Sequence, residues 1–156
     1  MDKLYFKKAE KKDAVILAEY RFKMFNDIFP EDNLGERKAE IVEKCERYYL
    51  GDIDNKNHYS IIAFIDNTAV GCGTILLEGK PPSPRHRTNL HAYILNIYVD
   101  TGHRGKGIAK KIMEQLHEYA RSKNVRRIGL HASHFGHGLY KKMGYKINES
   151  YLELEL

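Results

Sequence analysis

The sequence predicts an α+β fold in which helices flank a mixed, mostly antiparallel sheet. In some segments apolar residues recur every three or four positions, and in others every second position, so helices and strands both occur. Asp66, Asn67 and Thr68 separate two β-rich runs, and this is the composition of a tight hairpin. A later strand passes to a helix through a glycine loop. We find no linker or repeat, and therefore expect a single domain over 1–156.

The order of the elements follows from the apolar spacing and from the residues that end each segment. In chain order the prediction is a strand at 4–8, helices at about 11–29 and 36–50, strands at 59–65, 69–77 and 92–99, a helix at 108–122, a strand at 127–132, a helix at 138–143 and a final hairpin that ends with 151–156. In that last strand leucine alternates with Tyr and Glu, which predicts one buried face. The resulting order is β-α-α-β-β-β-α-β-α-β-β.

Composition and charge narrow the classes of protein that are possible. The hydrophobic fraction is 42% and the charged fraction 30%, which is typical of a globular domain. The apolar stretches fall far short of the roughly 20 residues of a membrane-spanning helix, so we expect no membrane partner. Cys45 and Cys72 lie far apart and no signal-peptide pattern is present, which predicts a cytoplasmic protein. The net charge of +5 suits a polyanionic partner, either nucleic acid or a phosphorylated cofactor.

The stretch LNIYVDTGHRGKGIA, from Leu95 to Ala109, is the most informative about function. A strand feeds a loop with three glycines, and a helix begins directly after it. The first N–H groups of a helix have no partner within the helix, and glycine lets an anion approach them. The loop therefore predicts an anion site that would fit a diphosphate.

Two other kinds of phosphate-binding loop do not fit these residues. A nucleoside-triphosphate loop ends in Gly-Lys followed by Ser or Thr, whereas Ile108 and Ala109 follow Gly107 here. A dinucleotide fingerprint that starts at Gly105 would need a third glycine where Lys110 stands. Both readings are excluded.

Two motifs resemble those of a known family. Arg104, Gly107 and Ala109 fill the pattern Arg-x-x-Gly-x-Ala directly after a strand. Farther along the chain stands Leu139-Tyr-Lys-Lys-Met-Gly-Tyr145. Together they resemble the acyl-coenzyme A signature and the fourth-helix motif of the GNAT superfamily of N-acetyltransferases. The order of elements also agrees over nearly the whole chain.

The resemblance implies the acyl-CoA N-acyltransferase (GNAT) fold and an enzyme that transfers acetyl from acetyl-CoA to a primary amine of a small molecule or protein by direct attack. It implies that the backbones of Ile97, Tyr98 and Val99 bond the pantetheine arm as an added strand would. The pyrophosphate would be held by Arg104, Gly105, Lys106, Gly107, Ile108 and Ala109. Ser133 stands where many relatives have Asn, and its hydroxyl can still bond the pantetheine. Gly136 replaces the commoner Ala.

The reaction also needs a general acid and a donor for the oxyanion. The resemblance places Tyr140 where a tyrosine commonly lies near the thioester sulfur, and a phenol with a pKa near 10 can protonate a departing thiolate. The alternative for Tyr140 is a packed ring whose hydroxyl is hydrogen-bonded. We expect a backbone N–H near Val99 to stabilise the oxyanion.

The histidines leave the general base open. His131, His134 and His137 surround the end of one predicted strand and His91 begins another, so each of them fits a base or a surface role. No cysteine or carboxylate lies near the first three, so a zinc site is not expected and no metal is predicted.

The acceptor amine is the least determined feature. By analogy its pocket lies between the first two helices and the proline-rich loop at 81–90, with Arg21, Phe22, Phe25 and Tyr93 as candidate lining residues. Cys72 alternates within a strand and is interpreted as a packed residue rather than a nucleophile. The kind of amine stays open.

Two other functions remain possible at this point. One is a phosphate- or nucleic-acid-binding module, and the other is a relative that senses acyl-CoA without turnover. Neither accounts for Tyr140. Acetyl-CoA and an amine are therefore the expected partners, nucleic acid is not expected, and the sequence does not decide whether the chain forms a homodimer.

Overall fold

The computed structural model describes residues 3–156 of the chain. Its elements are β1 (Leu4–Lys8), α1 (Ala14–Ile28), α2 (Lys38–Asp52), β2 (His58–Ile65), β3 (Thr68–Gly79), β4 (Leu90–Val99), α3 (Ile108–Ser122), β5 (Ile128–Leu130) and α4 (His137–Lys142). Short 3₁₀ turns precede α1, α2 and α3. Within the described residues, each helix is too short or too polar to span a membrane.

The five strands form one sheet in the order β1-β2-β3-β4-β5. The first four strands pair antiparallel, and β5 pairs parallel to β4. The predicted hairpin joins β2 to β3 through Asp66 and Asn67, which both have positive φ angles. Asp and Asn adopt this conformation more readily than most residues, so the turn residues select the hairpin. The predicted mixed, mostly antiparallel sheet is confirmed.

Helices cover both faces of the sheet. On one face α3 buries Ile112, Met113 and Leu116 completely against the strands. On the other face α1 buries Leu17 and α2 buries Tyr49. Burial of these apolar side chains stabilises the packing of helices on both faces of the sheet. β4 is therefore covered on both sides, which fixes the position of the loop that follows it.

A β-bulge interrupts the pairing of β3 and β4. Thr74 pairs with Leu95 and Cys72 with Tyr98, so one residue of β3 faces two residues of β4. One of these is Asn96, whose φ of 57° is tolerated by asparagine and whose side-chain amide donates to the carbonyl of Leu17, 3.2 Å away. The bulge bends β4 just before its last three residues.

The predicted final hairpin is wrong. Residues 146–156, all within the described part of the chain, form no strand, and Leu152, Leu154 and Leu156 are 81% to 112% exposed. The alternation of leucine with Tyr and Glu shows only which face of a strand would be buried, whereas a strand also needs a neighbouring strand with free backbone groups to pair with. The neighbouring edge is β5, which has three residues instead of the six predicted at 127–132. It offers too few backbone groups for a long ladder.

Candidate active site

A cleft opens where β4 and β5 separate. The two strands pair only from Ala92–Ile128 to Ile94–Leu130, and beyond that point the bulged end of β4 diverges from the chain that follows β5. The cleft has a volume of about 190 Å³ and lies between α1, the end of β4 and the segment 133–140. It brings together six residues that the sequence had suggested: Ile97, Tyr98, Val99, Arg104, Ser133 and Tyr140.

The start of α3 adjoins this cleft and has the features of an anion site. Gly105 and Gly107 have φ angles of 76° and 78°, and a Cβ atom added to either would meet no other atom within 4 Å. These glycines therefore allow the positive φ angles of the loop and leave open space beside it. Among the described residues no side chain caps α3, and its first turn has no acidic residue. Its first N–H groups are free to bind an anion.

The other residues of this loop differ in what they can contribute. Ile108 is buried in the core and Ala109 is half-buried, so either could offer a ligand only its backbone N–H. Lys106 is exposed and adds a positive charge next to the helix start. The arrangement combines free amides with positive charge, which favours a polyphosphate.

The side chain of Arg104 lies across the cleft rather than at the helix start. Its Nε donates to the carbonyl of Val99 at 2.8 Å, and Nη2 donates to Oδ2 of Asp27 at 2.8 Å. The guanidinium also lies over the ring of Tyr98, 5.1 Å from its centroid. One of the backbone carbonyls expected to bond the pantetheine is thus already occupied by Arg104.

Asp27 is a cleft residue that the sequence reasoning missed. Its Oδ2 accepts hydrogen bonds from both Arg104 and Tyr98, whose hydroxyl is 3.2 Å away. The available signal is its position on α1, three residues after the apolar Met24, because a carboxylate on the packed side of a helix usually has a cationic or hydroxyl partner.

Tyr140 lines the cleft with a largely buried ring. Burial raises the pKa of its hydroxyl, and no hydrogen bond among the described residues opposes this rise, so the alternative of a bonded hydroxyl is not supported. The ring lies directly against Gly136, where an added Cβ would come within 2.7 Å of Cε2 of Tyr140. The absence of a side chain at Gly136 is therefore what allows the ring this position.

The four candidate histidines have different surroundings. His131 contacts the Tyr93 hydroxyl through Nδ1, and its Nε2 lies 3.7 Å from Oε2 of Glu153. His134 lies against the ring of Phe135, His137 begins α4 and His91 lies near the start of β4. No group of three or more potential metal ligands occurs in the described part of the chain.

The candidate acceptor residues differ in their exposure and contacts. Phe22 is buried, with the ammonium of Lys38 5.5 Å from its ring centroid, so its proposed role in lining a pocket is not supported. Arg21 lies over Phe25 at 4.8 Å. Cys72 is fully buried, as expected of a packed residue, and burial raises the pKa of its thiol.

Comparison with known proteins agrees with this geometry. The sequence model of the "Acetyltransferase (GNAT) family" matches residues 20–145. The uncharacterized N-acetyltransferase YdgE of Bacillus subtilis (strain 168) is 29% identical over 128 residues, which are 76% of this chain and 77% of that protein.

Solved structures share the fold. A predicted acetyltransferase with acetyl-CoA from Clostridium acetobutylicum superposes with a TM-score of 0.88 at 29% identity, over 98% of this chain and 96% of that one. A GCN5-related N-acetyltransferase from Ralstonia eutropha JMP134 gives 0.86 at 19% identity, over 98% and 99% of the two chains. Because the family match spans most of the sequence, the chain belongs to the GNAT family of acetyltransferases.

Proposed function

We propose that this protein transfers the acetyl group of acetyl-CoA to a primary amine of a small molecule or protein, by direct attack of the amine on the thioester. The observation that carries the proposal is the cleft itself, which joins the separated end of β4, the uncapped start of α3 and the Tyr140 ring. The similar structure from Clostridium acetobutylicum, which contains acetyl-CoA, supports the choice of donor. That 1–156 is one cytoplasmic N-acetyltransferase domain stays a prediction from the sequence.

In this proposal the donor lies along β4. The pyrophosphate binds the free N–H groups at the start of α3, with the loop at 104–109 around it. The pantetheine arm pairs with the backbone of Ile97, Tyr98 and Val99, where β4 has no strand partner on the β5 side. Arg104 then has to release the carbonyl of Val99, after which its guanidinium is free to turn toward the phosphates.

The chemistry needs few groups beyond these. A backbone N–H near Val99 stabilises the negative charge that forms on the thioester oxygen. Tyr140, whose raised pKa keeps the phenol protonated, gives its proton to the departing thiolate. Ser133 lines the same cleft and can bond the pantetheine through its hydroxyl.

Of the other functions considered, a nucleic-acid-binding module is not favoured, because the family match covers the anion loop together with Tyr140. A sensor that binds acyl-CoA without turnover would have the same cleft. Release of free thiol separates the two, because only an enzyme produces it when an amine is added.

The donor site is tested by calorimetric titration of acetyl-CoA into Gly107→Glu. The glutamate side chain would occupy the space beside the free amides, and its carboxylate would repel the pyrophosphate. We therefore expect the binding of acetyl-CoA to be lost. Gly107→Ala is the matched control, since it carries the same strain at a φ of 78° without charge or bulk. Unchanged affinity in Gly107→Glu would exclude this loop as the pyrophosphate site.

The transferase activity is tested by screening amines for thiol release from acetyl-CoA with the wild-type chain. The screen should include polyamines, aminoglycosides, amino-acid derivatives and peptide amines, because the structure does not rank them. At least one class is expected to release thiol above the background hydrolysis rate. A protein that binds acetyl-CoA and turns over with no amine would be a sensor instead.

A further inference from the structure

The first observation concerns the point at which β4 and β5 part. Tyr93 pairs with Gly129 near the end of the short ladder, and His131 follows the last paired residue, Leu130. Tyr93 and His131 therefore flank the place where the cleft begins. They contact each other there, through the tyrosine hydroxyl and Nδ1 of the imidazole.

The second observation is which face of the sheet the Tyr93 side chain occupies. Its neighbours Ala92 and Ile94 are buried in the core on the α3 side. Because side chains alternate along a strand, Tyr93 lies on the opposite face, toward α1 and α2. An acceptor on that face and the thioester in the cleft would meet beside Tyr93.

The third observation is the carboxylate behind the imidazole. Oε2 of Glu153 lies 3.7 Å from Nε2 of His131, so a carboxylate, an imidazole and a phenol follow one another from the C-terminal segment to β4. Two further groups face them, Arg21 of α1 and Tyr151 of the C-terminal segment, whose ring centroid is 5.9 Å from that of His131. Burial raises the pKa of Tyr93, while the backbone of His131 and the charge of Arg21 lower it, and the balance keeps the phenol neutral.

We propose that Tyr93, His131 and Glu153 form the proton relay that serves as general base for the acceptor amine. The proposal rests on the transferase function above and assigns the base that the sequence left open. The relay requires the tautomer of His131 that carries its proton on Nε2, 3.7 Å from the Glu153 carboxylate, so that Nδ1 can accept the proton of the Tyr93 hydroxyl. Donor position supports the assignment, because a pantetheine arm that extends from the start of α3 along 97–99 points its thioester toward this end of β4.

The proton steps balance. As the amine nitrogen bonds to the thioester carbonyl carbon, an N–H proton passes to Oη of Tyr93 and the Tyr93 hydroxyl proton passes to Nδ1 of His131. The carbon–sulfur bond then breaks, and the thiolate takes a proton from Tyr140. The enzyme is left with a His131 imidazolium facing Glu153 and a Tyr140 phenolate. Solvent takes the proton from His131, whose side chain is exposed, and water that enters the cleft after the products leave returns a proton to Tyr140.

The test measures kcat for the wild type and for His131→Gln, with saturating amounts of an amine found in the screen, beside the affinity of each protein for acetyl-CoA. His131→Gln should lower kcat by about 100-fold, because the amine loses its proton acceptor, while the affinity for acetyl-CoA stays unchanged.

Two further variants separate a relay from a structural role. His131→Ala should regain part of its rate when free imidazole is added, which a purely structural histidine would not allow. Glu153→Gln removes the carboxylate behind the imidazole, so kcat should fall, but by less than in His131→Gln. The comparison variant is His134→Gln, three residues away, which should keep the wild-type rate, and thermal unfolding of each variant checks the fold.

The outcomes distinguish the relay from the function beneath it. With an active wild type, an unchanged kcat in His131→Gln, or a His131→Ala variant that free imidazole does not restore, would overturn the relay and leave the transferase intact. A wild type that binds acetyl-CoA but releases no thiol with any amine would overturn both.

Discussion

Two chains of carboxylate, imidazole and hydroxyl occur in different regions of this protein. Between α2 and the sheet, Oδ2 of Asp52 lies 2.9 Å from Nδ1 of His58, and Nε2 of His58 lies 2.7 Å from Oγ of Ser60. Where β4 and β5 part, Glu153 and His131 stand in the same order before the hydroxyl of Tyr93. The His58 side chain is 1% exposed, and that of His131 is 64% exposed.

The difference indicates that solvent access, rather than the types of group, decides whether such a chain of carboxylate, imidazole and hydroxyl stabilises the fold or exchanges protons with a substrate. Asp52, His58 and Ser60 have the order found in serine hydrolases, but Ser60 is buried and its hydroxyl is 2.6 Å from that of Thr74. No substrate can reach it. The buried chain instead joins the end of α2 to β2 and β3, whereas the exposed chain can exchange protons with a substrate and with water. Substitutions should therefore change stability in one region and turnover in the other.

The largest expected effect is on turnover at the cleft. Tyr140→Phe should lower kcat by about 100-fold, equivalent to about 2.7 kcal/mol, because the departing thiolate loses its proton donor. Affinity for acetyl-CoA and the midpoint of urea unfolding should change little. Since burial raises the pKa of Tyr140, the wild type should also keep its activity on the alkaline side up to about pH 10. A Phe variant with the wild-type kcat would remove Tyr140 from the mechanism.

The next effect is on stability under α2. His58→Gln leaves Asp52 and Ser60 without their imidazole partner, which should lower the free energy of unfolding by about 1–3 kcal/mol in urea titrations. The exposed counterpart His131→Gln should stay within about 0.5 kcal/mol of the wild type. Equal losses in the two variants would show that the exposed chain is also structural, and the comparison would fail.

A smaller effect on turnover is expected from the contact between Gly136 and Tyr140. Alanine at 136 would place a methyl group 2.7 Å from the Tyr140 ring, so the ring must shift, and kcat should fall by about tenfold. Gly138→Ala, two residues farther on within α4, is the matched control, because its added methyl meets nothing within 4 Å in the described part of the chain. If both variants behave alike, the position of the ring does not limit the rate.

The smallest effect is the pH dependence of stability. Burial lowers the pKa of His58 in the folded protein, partly opposed by its hydrogen bond to Asp52, while in the unfolded chain the value is about 6.5. Below about pH 6.5 the unfolded chain therefore binds a proton at this histidine, whereas the folded protein does not. The free energy of unfolding is highest above about pH 6.5 and decreases as the pH falls toward the pKa of folded His58. Urea titrations should show a shallower loss for His58→Gln than for the wild type. His117, whose pKa burial also lowers, keeps some slope in both proteins.

Local pattern predicted the donor side of the cleft well. The apolar stripe of α3 and its preceding strand are confirmed within two residues at their ends, and five of the six clustered cleft residues lie in the stretch from Leu95 to Ala109 or in the motif around Tyr140. A strand, a glycine loop and a helix start bind an anion through neighbouring backbone groups, so nearby residues carry the information. The C-terminal hairpin failed because its pattern needed a distant partner edge that β5 does not provide.

The sequence by itself determined the helices, the hairpin at 66–67, the anion loop and the family resemblance, because each depends on residues close together in the chain. Only the tertiary structure decided that Asp27 bonds Arg104 and that His131, of four histidines, contacts Tyr93. Those partners lie 77 and 38 positions apart. The spacing of residues along the sequence does not predict such pairs. They form only when α1, β4 and the segment after β5 pack against one another.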